Sequence, residues 1–215
     1  MARLLNSFGR MRTFVNNADY VLYRKSTAGA WSYTIPETRL YYIDAVGGGA
    51  GGWAVYLHRN NPHDAYLQLP FGGGGSGWSA FGPFFLEKGT VVSGVVGNGG
   101  AAKTSDIAAT NYGTFTGNDG GTTTVIVDGA TYSQQGGIAA TITHTSSTAY
   151  GTWTRGKGSA GTTVNGNDGS SATTSGIGGA SVLEGAGRGG DATIPIGGGL
   201  SATDGIAGLI RVRVA

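Results

Sequence analysis

The 215-residue sequence has no cysteine, so neither disulfides nor thiolate metal ligands contribute to it. Charge is scarce as well. Asp, Glu, Lys and Arg make up 12% of the chain, with only three glutamates, Glu37, Glu87 and Glu184, and three histidines, His58, His63 and His144. So few glutamates leave little with which to flank a glycosidic bond, and although aspartates could serve, polysaccharide cleavage is disfavoured. No G-x-S-x-G elbow occurs, because Ser76 in "GGSGW" and Ser159 in "KGSAG" each miss a required glycine. No apolar run reaches the roughly 18 residues of a membrane span, and no secretory apolar core follows "MARLLN". The expectation is a soluble, non-enzymatic protein with no cofactor and no membrane insertion.

Glycine is what the chain has in excess, 43 residues of it, beside 10% aromatic and 39% hydrophobic residues. That apolar content is too high for a flexible linker, so the chain is expected to fold. The stretch "YYIDAVGGGAGGW", Tyr41 to Trp53, carries Gly47-x-Gly49-x-x-Gly52 behind an apolar strand, the outward form of a dinucleotide fingerprint. In this composition about 1.7 such matches are expected by chance, and a second stands at Gly72-x-Gly74-x-x-Gly77. The following "WAVYLHRNNP" reaches Pro62 without a helical stripe, and Asp64 is too close to act as the ribose-binding acid. The phosphate reading is set aside.

Organisation along the chain divides at residue 27. Residues 1–27 hold Arg3, Arg10, Arg12, Arg24 and Lys25 against Asp19 alone, and the remainder is slightly acidic, so the body has no nucleic-acid-binding charge. Within the basic segment Leu4, Leu5, Phe8, Met11 and Val15 recur at spacings near three and four, which predicts a short amphipathic helix. That helix either packs on its own domain or docks on a larger assembly. From Ala28 onward, β-rich runs ("WSYTI", "RLYYIDAV", "TVVSGVV", "TTTVIV", "AATIT", "LIRVRV") alternate with glycine clusters. "GNDG" occurs twice, at Gly117–Gly120 and Gly166–Gly169, and is read as two equivalent turns. No Gly-X-Y period exists, which excludes collagen.

Ordering a glycine costs about 0.5–1 kcal/mol more than ordering an alanine. The compensation cannot come from side chains that glycine lacks. Extended polyproline-II segments have no internal hydrogen bonds, so glycine runs laid side by side can bond one another through every N–H and C=O. Each such bond returns about 0.5–1.5 kcal/mol. The expected fold class is therefore all-β and irregular: a β-strand framework around packed polyproline-II glycine helices over residues 28–215, preceded by the short N-terminal helix.

Four stretches in order, "AWSYTIPETRLYYIDAVGGGAGG", "GGGGSGWSAFGPFFLEKGTVVSGVVGNGGAA", "TGNDGGTTTVIVDGATYSQQGG" and "DGIAGLIRVRVA", resemble the glycine-rich domain at the ends of bacteriophage tail fibres and in related phage adhesins. The resemblance spans about residues 28–215. It implies a stack of polyproline-II glycine helices from whose tip host-recognition loops project, and hence a virion adhesin that binds a host-surface receptor, an outer-membrane protein or a glycan. Residues 1–27 would then contact other virion proteins. The chain departs from that pattern in its longer, aromatic insert Trp53 to Phe71 and in starting at Met1 with no fibre shaft. The expectation is a small cap adhesin on a separate fibre or a decoration unit elsewhere on the virion, such as a head fibre with no specific receptor. A homotrimer and a monomeric cap on another protein's trimer both fit.

Three gaps between glycine clusters concentrate aromatic and polar residues. They supply the candidate receptor contacts Trp53, Tyr56, His58, Arg59 and Tyr66, then Tyr112 and Phe115, then Tyr150, Trp153 and Arg155. Tyrosine, tryptophan and arginine join large contact area to a polar tip. The alternative is that aromatics cap the ends of a glycine core, the reading preferred for Trp31, Tyr33, Tyr42, Trp78 and Phe84. His58, His63 and Asp64 in "HRNNPHD" form a conceivable metal clasp, but the pattern lacks further ligands, and an exposed turn around Pro62 explains it equally. "AGRGGDATI" falls short of a calcium-binding nonapeptide at Ala186 and Thr193. Asp119, Asp168 and Asp191 are accordingly expected to be turn residues.

Overall fold

The computed structural model describes residues 20–58, 66–146, 151–172, 174–195 and 199–215, with Tyr66 by its backbone only. The predicted helix over residues 4–15 lies outside them. Among the described residues the chain is all-β, with no helix. The strands are β1 (Val21–Lys25), β2 (Gly29–Thr34), β3 (Arg39–Val46), β4 (Trp53–His58), β5 (Tyr66–Phe71), β6 (Trp78–Leu86), β7 (Val91–Val96), β8 (Lys103–Ile107) and β9 (Gly113–Thr116). They continue with β10 (Thr123–Val127), β11 (Ala130–Gln134), β12 (Thr141–His144), β13 (Thr152–Thr154), β14 (Ser175–Gly176), β15 (Ala192–Thr193), β16 (Ser201–Ala202) and β17 (Leu209–Val214).

Two four-stranded antiparallel sheets, β1-β17-β3-β6 and β11-β10-β7-β2, share one apolar core that includes Trp31, Tyr41, Ile43, Val92, Val125 and Ile210. In β17 the sequence alternation is realised: Ile210, Val212 and Val214 are buried, while Arg211 and Arg213 each donate through Nε to Oδ2 of the buried Asp44, at 2.8 and 3.0 Å. β1 pairs with β17, so residues 21–25 of the basic segment lie in this sheet. Val214 N–H donates to Tyr20 O, which places the first described residue and the end of the chain together. We call this the proximal end.

Three three-stranded sheets, β13-β12-β9, β5-β4-β8 and β14-β15-β16, lie at the opposite, distal end. Trp53, Val55, Leu57, Leu69, Phe71, Ile107 and Ile142 bury against one another there, and Ala54, Ala192 and Ile194 form a satellite cluster. β4 and β8 pair in parallel; the other ladders are antiparallel. The aromatic insert Trp53–Phe71 contributes a paired β4/β5 ladder, with Trp53 opposite Phe71 and His58 opposite Tyr66.

Among the described residues, ten glycine-bearing runs cross between the two ends: 47–52, 72–77, 97–102, 117–122, 135–140, 155–161, 166–172, 176–181, 186–191 and 203–208. Successive runs alternate in direction, because each leaves a strand or turn at one end and delivers the chain to the other. Every amide from Gly47 to Gly52 donates to another run, and the partner repeats every third residue. Gly47 and Ala50 donate to the run 72–77, Gly48 and Gly51 to 117–122, and Gly49 and Gly52 to 203–208. Its carbonyls accept from three more: Gly48 O from Gly137, Gly49 O from Gly100 and Ala50 O from Gly190. Run 47–52 therefore has six neighbours. Run 72–77 has the same arrangement, with Gly72 and Gly75 donating to 166–172 and Gly73 and Ser76 to 186–191.

The two "GNDG" segments are equivalent, but they are not turns. Each lies within a crossing run, where Asn118 O accepts from Gly51 and Asn167 O from Gly75. Their side chains tie neighbouring runs at the rim. Asn118 Nδ2 donates to Ala101 O and Asn167 Nδ2 to Ala180 O, while Asp119 Oδ1 accepts from Ala139 N–H at 2.7 Å and Asp168 Oδ1 from Gly158 N–H at 2.9 Å. Asp191 Oδ1 does the same for Gly178 N–H at 2.7 Å. Rim runs lack a full ring of neighbours, and a carboxylate supplies the missing acceptor. This corrects the turn assignment for all three aspartates.

Candidate recognition surface

Alternating runs sort the connections by end. Proximal connections are short: 26–28, 35–38, 87–90 and 128–129. The intervals 59–65, 108–112, 145–151 and 194–200, whose flanking strands lie at the distal end, are longer. The described strands of the three sequence gaps read as candidate contacts all lie at the distal end, so residues far apart in the chain are gathered there by run direction.

Not every candidate faces outward. Trp53 is 0% exposed: its ring centroid lies 6.0 Å from that of Phe71, its Nε1 donates to Ser105 Oγ at 2.9 Å, and the Lys103 ammonium sits 5.0 Å above the ring. Strand parity decides this, because Trp53, Val55 and Leu57 point to the core. Trp53 is a core residue, which corrects its assignment as a contact. Phe115 is likewise drawn inward, partly buried against the same core. Tyr56 is half-buried against the Ala54–Ala192–Ile194 cluster. Arg59 and Tyr150 lie outside the described residues, as does the side chain of Tyr66 and, with His63 and Asp64, most of the conceivable metal clasp.

His58 instead faces Asp106 across the parallel β4/β8 ladder, Nε2 to Oδ1 at 2.6 Å, with the aspartate well exposed. No group of three metal-ligating His, Asp or Glu side chains occurs among the described residues. Tyr112 is 52% exposed, with its ring 5.4 Å from that of His144. His144 is buried; its Nδ1 lies 2.9 Å from Asn111 O, while Nε2 has no hydrogen-bond partner among the described residues.

A groove of about 320 Å3 at this end is lined by Trp153, Thr154, Arg155, Lys157 and Ser171. Trp153 lies on the same rung of the β9-β12-β13 sheet as Ile142 and Phe115. It stands on the edge strand β13 and is 44% exposed. Arg155 is exposed. Lys157 Nζ lies 3.2 Å from Asp168 Oδ2 with both side chains about half exposed, too solvated for a strong pair. The Gly158 N–H, and then Lys157 and Arg155, hold the Asp168 carboxyl below its ordinary pKa. The groove thus sets two cations against one anion.

Lys157 and Ser171 are not among the candidate contacts read from the sequence, and Asp168 is read there only as a turn residue. Ser171 arrives by an isolated bridge to Phe71, a hundred positions earlier, for which no local pattern exists. Lys157 and Asp168 sit inside glycine clusters, where side chains read as spacing. Compared with protein-family models and with curated protein sequences, the chain matches none.

Proposed function

We propose that this protein is a virion receptor-recognition module, an adhesin whose distal surface engages a molecule on the host cell while its proximal end is turned toward the rest of the particle. The observation that carries this reading is the sorting of connections. Among the described residues, the crossing runs carry the strands that flank the longer connections to one end and Tyr20 and Ala215 to the other, the polarity an adhesin mounted by its N-terminal side requires. Exposed Tyr112, Trp153 and Arg155 supply the contact chemistry.

The crossing runs are, in this reading, polyproline-II helices of glycine. Donor partners that repeat every third residue suit a helix with three residues per turn, and six neighbours suit close packing of thin rods. Such a rigid lattice lets loops vary without cost to the support. The resemblance to tail-fibre tip domains favours the same conclusion.

The test is binding of the purified, labelled protein to susceptible cells and competition with infection. Saturable binding that blocks infection, abolished by replacing residues 145–151 with Gly-Ser, is the expected result. Particle association without any cell binding would instead indicate a decoration protein.

A further inference from the structure

Resting on the adhesin reading, we propose that the Trp153 groove is a saccharide subsite selective for an acidic sugar, one carrying a carboxylate or a phosphate ester. Three independent features converge. An indole on a strand edge, 44% exposed, offers a flat apolar surface against which a pyranose ring can stack. Arg155 and Lys157 flank it from the chain that leaves β13, and Arg155 makes no ion pair among the described residues, so its planar fork is available to an anionic group. Thr154 and Ser171 add hydroxyls that can both donate to and accept from sugar hydroxyls.

Charge makes the choice between acidic and neutral ligands. Asp168 takes up part of the positive charge of Lys157, yet two cations remain against one carboxylate. A protein surface as partner is disfavoured by the same geometry, since a single exposed aromatic in a mostly polar trough offers little of the desolvated centre a protein interface uses. The steering contribution of the two cations is long-range and weakened by salt; stacking on the indole is not.

The decisive measurement is a titration of the intact protein, by calorimetry or ligand-observed NMR, with oligogalacturonate, oligosialic acid and a phosphorylated oligomannose, beside neutral isomalto-oligosaccharide. At least one acidic oligosaccharide is expected to bind ten-fold or more tightly than the neutral one. Trp153→Ala is expected to lower that affinity at least ten-fold at any salt concentration, whereas Arg155→Gln lowers it chiefly at low salt. Circular dichroism and melting temperature unchanged in both variants show that the fold persists. Absence of binding by all three acidic probes overturns the proposal, as does binding that Trp153→Ala leaves intact, which marks nonspecific polyanion attraction. Should cell binding persist while all three oligosaccharides fail, the groove assignment falls and the adhesin reading stands; loss of cell binding in wild type removes the latter.

Discussion

Gly49 sits where a methyl group has no room: a Cβ built on it would lie 2.0 Å from Arg188 O and 2.3 Å from the same residue's carbonyl carbon, both backbone. Relief requires parting runs 47–52 and 186–191, which breaks the bonds between them. Gly49→Ala is therefore expected to cost more than about 3 kcal/mol or to prevent folding. Gly199→Ala, with nothing within 4 Å of its added methyl, should change stability by less than about 1 kcal/mol. Urea denaturation of both proteins compares them directly. The two tryptophans at the distal end separate in the same way. Trp53→Ala empties a fully buried site and should lose about 3–5 kcal/mol. Trp153→Ala, removing a half-exposed ring, should stay within about 1 kcal/mol of wild type.

Among the elements, the rim runs depend on side chains that the inner runs do without. Asp119→Ala strips the acceptor from the N–H of Ala139, a buried residue, and is expected to cost about 1–3 kcal/mol, the penalty of an unsatisfied buried donor. Asp168→Ala removes the equivalent acceptor from Gly158 N–H, which sits nearer to solvent where water can replace it. Its loss should be clearly smaller. Thermal melts of the two variants rank the costs, and equal losses would show that the second rim position is as dry as the first. In the proximal sheets, the Thr123 hydroxyl does a related job inside the structure, accepting from Gly97 N–H at 3.0 Å and donating to Val46 O at 2.7 Å where runs meet strands.

At the scale of the whole molecule, acid is expected to loosen the fold. Burial pushes the Asp191 and Glu184 carboxyls up, but for Asp191 the hydrogen bonds from Arg188 and the Gly178 N–H outweigh it, and for Glu184 the contacts from Arg24 and Arg211 do. Both pKa values end below their ordinary ones, as does that of Asp168. A carboxyl with a depressed folded-state pKa binds its proton more readily when unfolded. Its stabilisation is complete above the unfolded value, near 4, and disappears as pH falls through the folded value. The melting temperature should be level from about pH 8 to 5 and drop below about pH 4. Asp191→Asn and Glu184→Gln should each flatten that drop, and a series of melts across pH measures it.

Composition and local pattern determined a good deal. β3 and β17 were legible to the residue, "RLYYIDAV" and "LIRVRV", because alternation and β-branching act within a few positions. That the glycine runs bond to one another also followed from local chemistry, since a residue with no side chain has only backbone to offer and a buried backbone must be paired. Tertiary structure alone decided which run meets which, that the two "GNDG" segments tie rims rather than turn the chain, and that Trp53 is inside while Trp153 is outside. The physical reason is that every partner in the lattice is distant in sequence and chemically alike. A glycine amide is the same donor wherever it occurs, so only the packed arrangement tells one acceptor from another, and only the completed core tells a buried aromatic from one left facing solvent.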